Sequence, residues 1–163
     1  MRVAVVVKQV PTFTEMALDA DGRLIRSGLP LELNPYCRRA VSQAVELVAA
    51  GAAATGAGRA PGRVTVMTLG PPSAEDVLRE GIAWGTDRGA ETDGVLITDA
   101  AFAGSDTLAI ARALAAALRL AGPFDLILTG RNSVDADTGQ VPPELAELLD
   151  LPFLSGVRSL HLD

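Results

Sequence analysis

The stretch Asp125-Leu-Ile-Leu-Thr-Gly-Arg-Asn-Ser-Val-Asp-Ala-Asp-Thr-Gly-Gln-Val141 changes character twice. Asp125 to Thr129 is an apolar run of strand length, and from Pro142 to Leu149 the apolar spacing turns helical. Between them lies a strand-to-helix loop of small residues, hydroxyls, carboxamides and two carboxylates. The first N–H groups of a helix have no partner within it, so an anion such as a phosphate is readily held there. Asp137, followed three residues later by Gln140, reads as an N-cap with its capping-box partner, which puts Thr138 at the first helical position. A capped turn requires only Asp137. Asn132, Ser133, Asp135 and Thr138 exceed that requirement and point to a ligand site.

Outward from this loop, the chain alternates strand and helix. Arg2 to Lys8 is a β-branched run with the composition of a strand buried on both faces. Pro11 ends it, and Asp19-Ala-Asp-Gly22 is the turn of an irregular hairpin. Asn34-Pro35 opens a helix, Asn as N-cap and Pro at the first helical position, and Ala40, Val41, Ala44, Val45, Leu47 and Val48 form its apolar stripe. The Ala- and Gly-rich Gly51 to Gly62 is the expected mobile segment. Arg63 to Leu69 is the second strand, and Ser73 is expected to cap a helix reaching Trp84. A third strand is expected over Gly94 to Thr98, a helix from Ser105 to Leu120, and a fifth strand over Phe153 to Leu160.

This alternation predicts one α/β domain, residues 1–163, with a parallel sheet covered by helices on both faces. Such sheets bind ligands beyond the carboxyl ends of their strands, near a topological switch point. Lys8-Gln9 and Gly130 both lie at strand carboxyl ends, so the first and fourth loops are placed to share one ligand.

Several chemistries are excluded. The net charge of −6 argues against general nucleic-acid binding. No run of apolar residues is long enough to insert in a membrane, and the apolar core before Lys8 is too short for a signal peptide; a cytoplasmic protein is expected. One cysteine, Cys37, and one histidine, His161, leave no disulfide framework, no multi-Cys metal site and no Ser–His or Cys–His pair. No catalytic or metal-binding residue is assigned. The P-loop pattern is missing, and Lys8-Gln-Val-Pro-Thr12 stands where a dinucleotide fingerprint or the S-G-G-x-D-S of a pyrophosphatase-type loop would follow the first strand. A bound nucleotide would therefore take its phosphate contacts from Gly130 to Val141. Asp135 and Asp137 would repel a phosphate unless they face inward or bond a ribose hydroxyl, and the sequence leaves that choice open.

Five segments together resemble the beta subunit of electron-transfer flavoprotein. They are Val5-Val-Val-Lys-Gln-Val-Pro11, Leu33-Asn-Pro-Tyr-Cys37, Leu69-Gly-Pro71, Gly85-Thr-Asp-Arg88 and Leu128-Thr-Gly-Arg-Asn-Ser-Val-Asp-Ala-Asp-Thr-Gly-Gln140, in that family's order and at its spacing. The last is the most specific. The resemblance implies a Rossmann-like fold of the adenine nucleotide alpha hydrolase-like kind. It further implies a subunit that binds AMP structurally and pairs with an alpha subunit holding most of the redox-active FAD. The pair carries electrons from dehydrogenases, such as acyl-CoA dehydrogenases, to a membrane quinone reductase of the respiratory chain, and is not itself a catalyst.

Carried over by position, the implied cofactor contacts fall first on Val6, on Asn34, Pro35, Tyr36 and Cys37, and on Leu69. The remainder fall on the loop: Gly130, Arg131, Asn132, Ser133, Val134, Asp135, Ala136, Asp137, Thr138, Gly139, Gln140 and Val141. Asn34 reads first as an N-cap, and Cys37 as a small packed residue. Phe13 is the candidate for the flavin's edge. Arg131-Asn132 replaces a more usual Lys-Gln, Pro142-Pro143 a Gly-Pro, and Thr12 an Asp. Flavin-bifurcating relatives place a second FAD where AMP lies, and that alternative stays open. Family members continue beyond the length of this chain into a C-terminal region that embraces the partner, so a fragment or shortened relative is expected. A stand-alone adenine-nucleotide sensor of the universal-stress type is the competing reading, although its glycine spacing does not occur after Gly130.

Overall fold

The valine-rich N-terminal run forms β1 (Arg2–Val7), and its last five residues are all buried. Val3, Val5 and Val7 join one apolar cluster, whereas Ala4 and Val6 join another. A strand apolar on both faces belongs inside a sheet covered on both sides. The computed structural model, which describes residues 1–12, 17–22, 25, 28–54 and 62–161 (side chains of 52–54 excepted), has that arrangement.

After β1 the chain forms a small antiparallel pair, β2 (Gln9–Pro11) with β3 (Leu31–Leu33), and then α1 (Pro35–Ala54). Next come β4 (Arg63–Leu69), α2 (Glu75–Asp87), β5 (Glu91–Ile97), α3 (Thr107–Ala121), β6 (Leu126–Thr129) and α4 (Val141–Leu149). The main sheet has the order β5-β4-β1-β6, and every pairing is parallel. β1 sits in register with both neighbours, Val5 opposite Val66 on one side and Leu128 on the other. The first three strands of this sheet step one way; after α3 the chain crosses back to lay β6 on the far side of β1. That reversal makes the carboxyl ends of β1 and β6 the topological switch point, the place where such sheets bind ligands.

α1 and α2 cover one face, α3 and α4 the other. The predicted α1 stripe, Ala40 to Val48, is buried throughout. Burying one such valine contributes about 1.5–3 kcal/mol. α2 can approach the sheet because Gly81 and Gly85 face Val66 and Thr92, where a side chain would collide.

Three expectations are corrected here. No strand forms over Phe153 to Leu160: residues 151–159 are exposed, and the outer edge of β6 is unpaired among the described residues. Gly156 takes a left-handed φ of 69°, which interrupts the extended run that the apolar residues suggested. The third strand begins three residues early, at Glu91, because its polar start lies on the edge of the sheet, where Glu91 and Asp93 pair with Arg63. Ser73 does not cap α2. It lies in a 3-10 turn, Pro72–Ala74, and its Oγ donates to Gln9 Oε1 at 3.4 Å. The expected turn at Asp19 is present, closed by Gly22 N–H donating to Asp19 O at 3.0 Å. Phe13 and most of the segment expected to be mobile (residues 55–61) lie outside the described residues.

Candidate functional site

β6 delivers the chain to Gly130 at the switch point. Gly130 is buried, and a Cβ there would stand 2.9 Å from Cys37 Sγ and 3.1 Å from Cys37 N. The absent side chain lets the loop start against the first turn of α1. Two side chains then hold it. Asn34, fully buried, donates from Nδ2 to Asn132 O at 2.8 Å and to Cys37 Sγ at 3.2 Å, while its Oδ1 accepts from Val134 N–H at 3.3 Å. Its backbone carbonyl accepts from Cys37 and Arg38 N–H, so Asn34 opens α1 through its main chain and commits its side chain to the loop.

The second clamp is Lys8, immediately after β1. Its Nζ donates to Asp135 Oδ1 at 2.7 Å, to Oδ2 at 3.0 Å and to Ser133 Oγ at 3.2 Å. The Asp135 side chain is 1% exposed and that of Lys8 42%, so the pair joins a buried carboxylate to a cation still in contact with water. The two Asp residues left undecided by the sequence are thus distinguished. Asp135 faces inward onto Lys8, and Asp137 is exposed with a left-handed φ of 51°.

α4 starts where the helical spacing from Pro142 places it, later than the capping box at Asp137 implies. Gln140, not Asp137, is its N-cap residue, and it makes no side-chain cap bond. Prolines suit the first helical turn, so Pro142-Pro143 sets the start. The Gln140 side chain meets α3 instead, accepting from Thr107 Oγ1 at 3.2 Å. Thr138 consequently stands in the loop rather than at the first helical position. The double proline also removes two N–H groups, and Glu144 N–H donates to Gln140 O, so the start of α4 has little to offer an anion. Donors are found in the loop itself: the N–H groups of Thr138 and Gly139 have no acceptor among the described residues, and the exposed Arg131 has its backbone carbonyl 3.6 Å from where a Cβ on Gly139 would stand.

The other expected residues fall on the strands and the helix start that flank the loop. Val6 lies opposite Thr129 in register and is nearly buried in the cluster under α3 and α4; Leu69 ends β4 against that cluster. Tyr36 is half-buried with its backbone against Gly130, and Pro35 is exposed. Cys37 is buried, and desolvation pushes its thiol up, as suits a packed and unreactive residue. Ala136 is exposed in the turn where both it and Asp137 donate N–H to Ser133 O; Val141 is half-buried at the start of α4.

The loop therefore presents unsatisfied groups of both kinds. Asn132 Oδ1 is buried without a partner among the described residues, an acceptor waiting for an amino or hydroxyl donor. The N–H groups of Thr138 and Gly139, with Arg131, suit an anion. An adenine nucleotide fits this donor set. A cavity of about 370 Å³ between α3 and α4 does not, because Leu108, Pro143 and Leu148 line it together with Glu144 and Glu147, whose charges oppose phosphate.

Lys8 is not among the contacts that the family resemblance implies. The chain's only lysine, at the carboxyl end of a strand bordering the switch point, was the available signal.

Sheet order and clamped loop define a Rossmann-like α/β domain with its polar site at the switch point. Residues 21–163 match the electron transfer flavoprotein domain, and the chain belongs to that family. It is 37% identical over its whole length to an electron transfer flavoprotein subunit beta from Thermoanaerobacterium thermosaccharolyticum, covering 57% of that protein. A protein FixA from Bradyrhizobium diazoefficiens is 40% identical over 97% of the chain and 53% of its own length. The acryloyl-CoA reductase electron transfer subunit gamma of Anaerotignum propionicum is 42% identical over 93% of the chain and 53% of its own length. The chain thus spans somewhat more than half the length of these curated relatives. No helix among the described residues is long and apolar enough to cross a membrane.

Proposed function

We propose that this domain binds AMP at the switch point between β1 and β6 and serves as the beta-type part of an electron transfer flavoprotein. The observation that carries the reading is the Gly130–Val141 loop, clamped at a switch point by side chains from two other elements. Family membership supports the electron-transfer role, and the free loop donors support an anionic ligand. The adenine would lie toward the apolar side chains of Val6 and Leu69, with Asn132 Oδ1 available to a donor on base or ribose. Arg131 and the N–H groups of Thr138 and Gly139 would meet the phosphate.

The redox chemistry belongs to an FAD held mainly by a partner alpha subunit. This chain's own residues would hold and position the nucleotide. The proposed pair is cytoplasmic, takes electrons from dehydrogenases such as acyl-CoA dehydrogenases and delivers them to a membrane quinone reductase. A second reading places an FAD at this same switch point; one relative is by name the electron transfer subunit of an acryloyl-CoA reductase.

Acid extraction of the purified protein with mass spectrometry, followed by calorimetric titration with AMP, tests both. AMP recovered or bound supports the main reading, a yellow chain releasing FAD the second. Recovery of NAD, or no adenine nucleotide binding at millimolar concentration, overturns both.

A further inference from the structure

We propose that Lys8 is a positioning residue, which with Asn34 holds the Gly130–Val141 loop in its ligand-ready shape before any ligand arrives. This rests on the reading of the loop as a nucleotide site. The two clamps spring from one backbone joint, because Asn34 N–H donates to Lys8 O at 3.0 Å. From there they reach alternate residues of one segment: Asn34 takes Asn132 and Val134, Lys8 takes Ser133 and Asp135. Four consecutive residues are fixed by partners about a hundred or more positions away in sequence.

Charge decides between the roles open to Lys8. A lysine at a sheet's carboxyl end could serve as a phosphate ligand. Here Nζ lies within 3.0 Å of both oxygens of a carboxylate whose side chain is 1% exposed. Moving Nζ to a phosphate would give up two charge-assisted bonds to a buried carboxylate, which is costly. Paired, Asp135 no longer repels an anion, and its fixed position sets the path of the loop toward Thr138 and Gly139. Lys8 acts on the ligand through Asp135 and Ser133.

The test combines hydrogen exchange of loop peptides with AMP calorimetry on the purified chain and on Lys8→Met, Asp135→Asn and the double variant. Lys8→Met is expected to speed exchange over 131–137 while the amides of β1 and β4 keep their protection. AMP affinity should fall about ten- to hundred-fold. Asp135→Asn should also weaken AMP, and the double variant should regain part of the loop protection because the buried charge itself is gone. If Lys8 were a phosphate ligand, Asp135→Asn would release it and tighten AMP, and Lys8→Met would lose affinity with the loop unchanged; either result overturns the proposal. So does faster exchange in loop and sheet together, which would mark a general structural role. Should Lys8→Met fail to fold, Asp135→Asn decides alone, since it leaves only a solvent-accessible cation unpaired. A wild-type chain that binds no AMP removes the nucleotide reading, while loop exchange still decides the role of Lys8.

Discussion

Gly130 and Cys37 meet at the point where the loop leaves the sheet, and each can be tested singly. A methyl at position 130 would stand 3.1 Å from Cys37 N and 3.2 Å from the Tyr36 carbonyl carbon, backbone atoms that cannot rotate away. Gly130→Ala should therefore shift the loop off α1, lowering stability by about 1–3 kcal/mol as overpacking does. AMP affinity should fall with it, by calorimetry. Urea unfolding that shows no loss would mean the two segments separate freely. For Cys37, burial raises the thiol above its ordinary 9.0, with smaller opposing contributions from Asn34, the Lys8 and Gly130 backbones and the Lys8 charge. The folded chain then keeps its proton at pH values where the unfolded chain has lost it. Stability from this source is complete below pH 9.0 and declines as pH rises past 9.0 toward the folded value. Cys37→Ala should flatten the alkaline side of a stability–pH curve measured by urea unfolding, and native Cys37 should react slowly with thiol reagents at neutral pH. Residue types at the site were legible in the sequence: an amide-, hydroxyl- and carboxylate-rich loop after a buried strand. Which Asp faces inward was not, because that choice depends on Lys8, 127 residues away.

Elements were legible where a period repeats for long enough to outweigh single residues. β1 could be read from valines on both faces and α1 from six stripe positions, all of them buried. Where a local signal competed with chain context, context prevailed. The capping-box spacing at Asp137 yielded to the double proline, and the apolar tail after Leu151 yielded to Gly156. β5 began early because an edge strand accepts Glu91 and Asp93, which a buried strand would reject. Helix α2 gives a graded test of packing. A Cβ on Gly85 would approach Thr92 Cβ to 2.7 Å, whereas one on Gly81 would meet the Val66 methyls at 3.2 Å. Gly85→Ala should cost about 1–3 kcal/mol and Gly81→Ala less. Equal losses in thermal unfolding would show that helix propensity, not the seat on the sheet, governs both.

At the scale of the whole molecule, exposed apolar surface collects after α4. Leu151, Phe153, Leu154 and Val157 are 48%, 44%, 79% and 55% exposed within seven residues of sequence. Single exposed apolar side chains are ordinary; a cluster of this kind marks an interaction surface. The net charge of −6 opposes association over long range but is screened within about 8 Å at physiological salt. The chain alone is therefore expected to self-associate in a concentration-dependent way, and Leu154→Asp should shift it toward monomer without lowering its melting temperature. The proposed pairing adds a sharper expectation. With one cysteine there is no redox-active cysteine pair in this chain, so when the site holds AMP the isolated protein should be colourless and redox-silent. Co-expression with a flavin-holding alpha-type subunit should yield a single complex in size exclusion, carrying flavin absorbance that bleaches on reduction. A chain that stays monomeric, takes no such partner and shows no flavin in either state would favour the nucleotide-sensor reading, since AMP binding at the switch point would then be its only measurable activity.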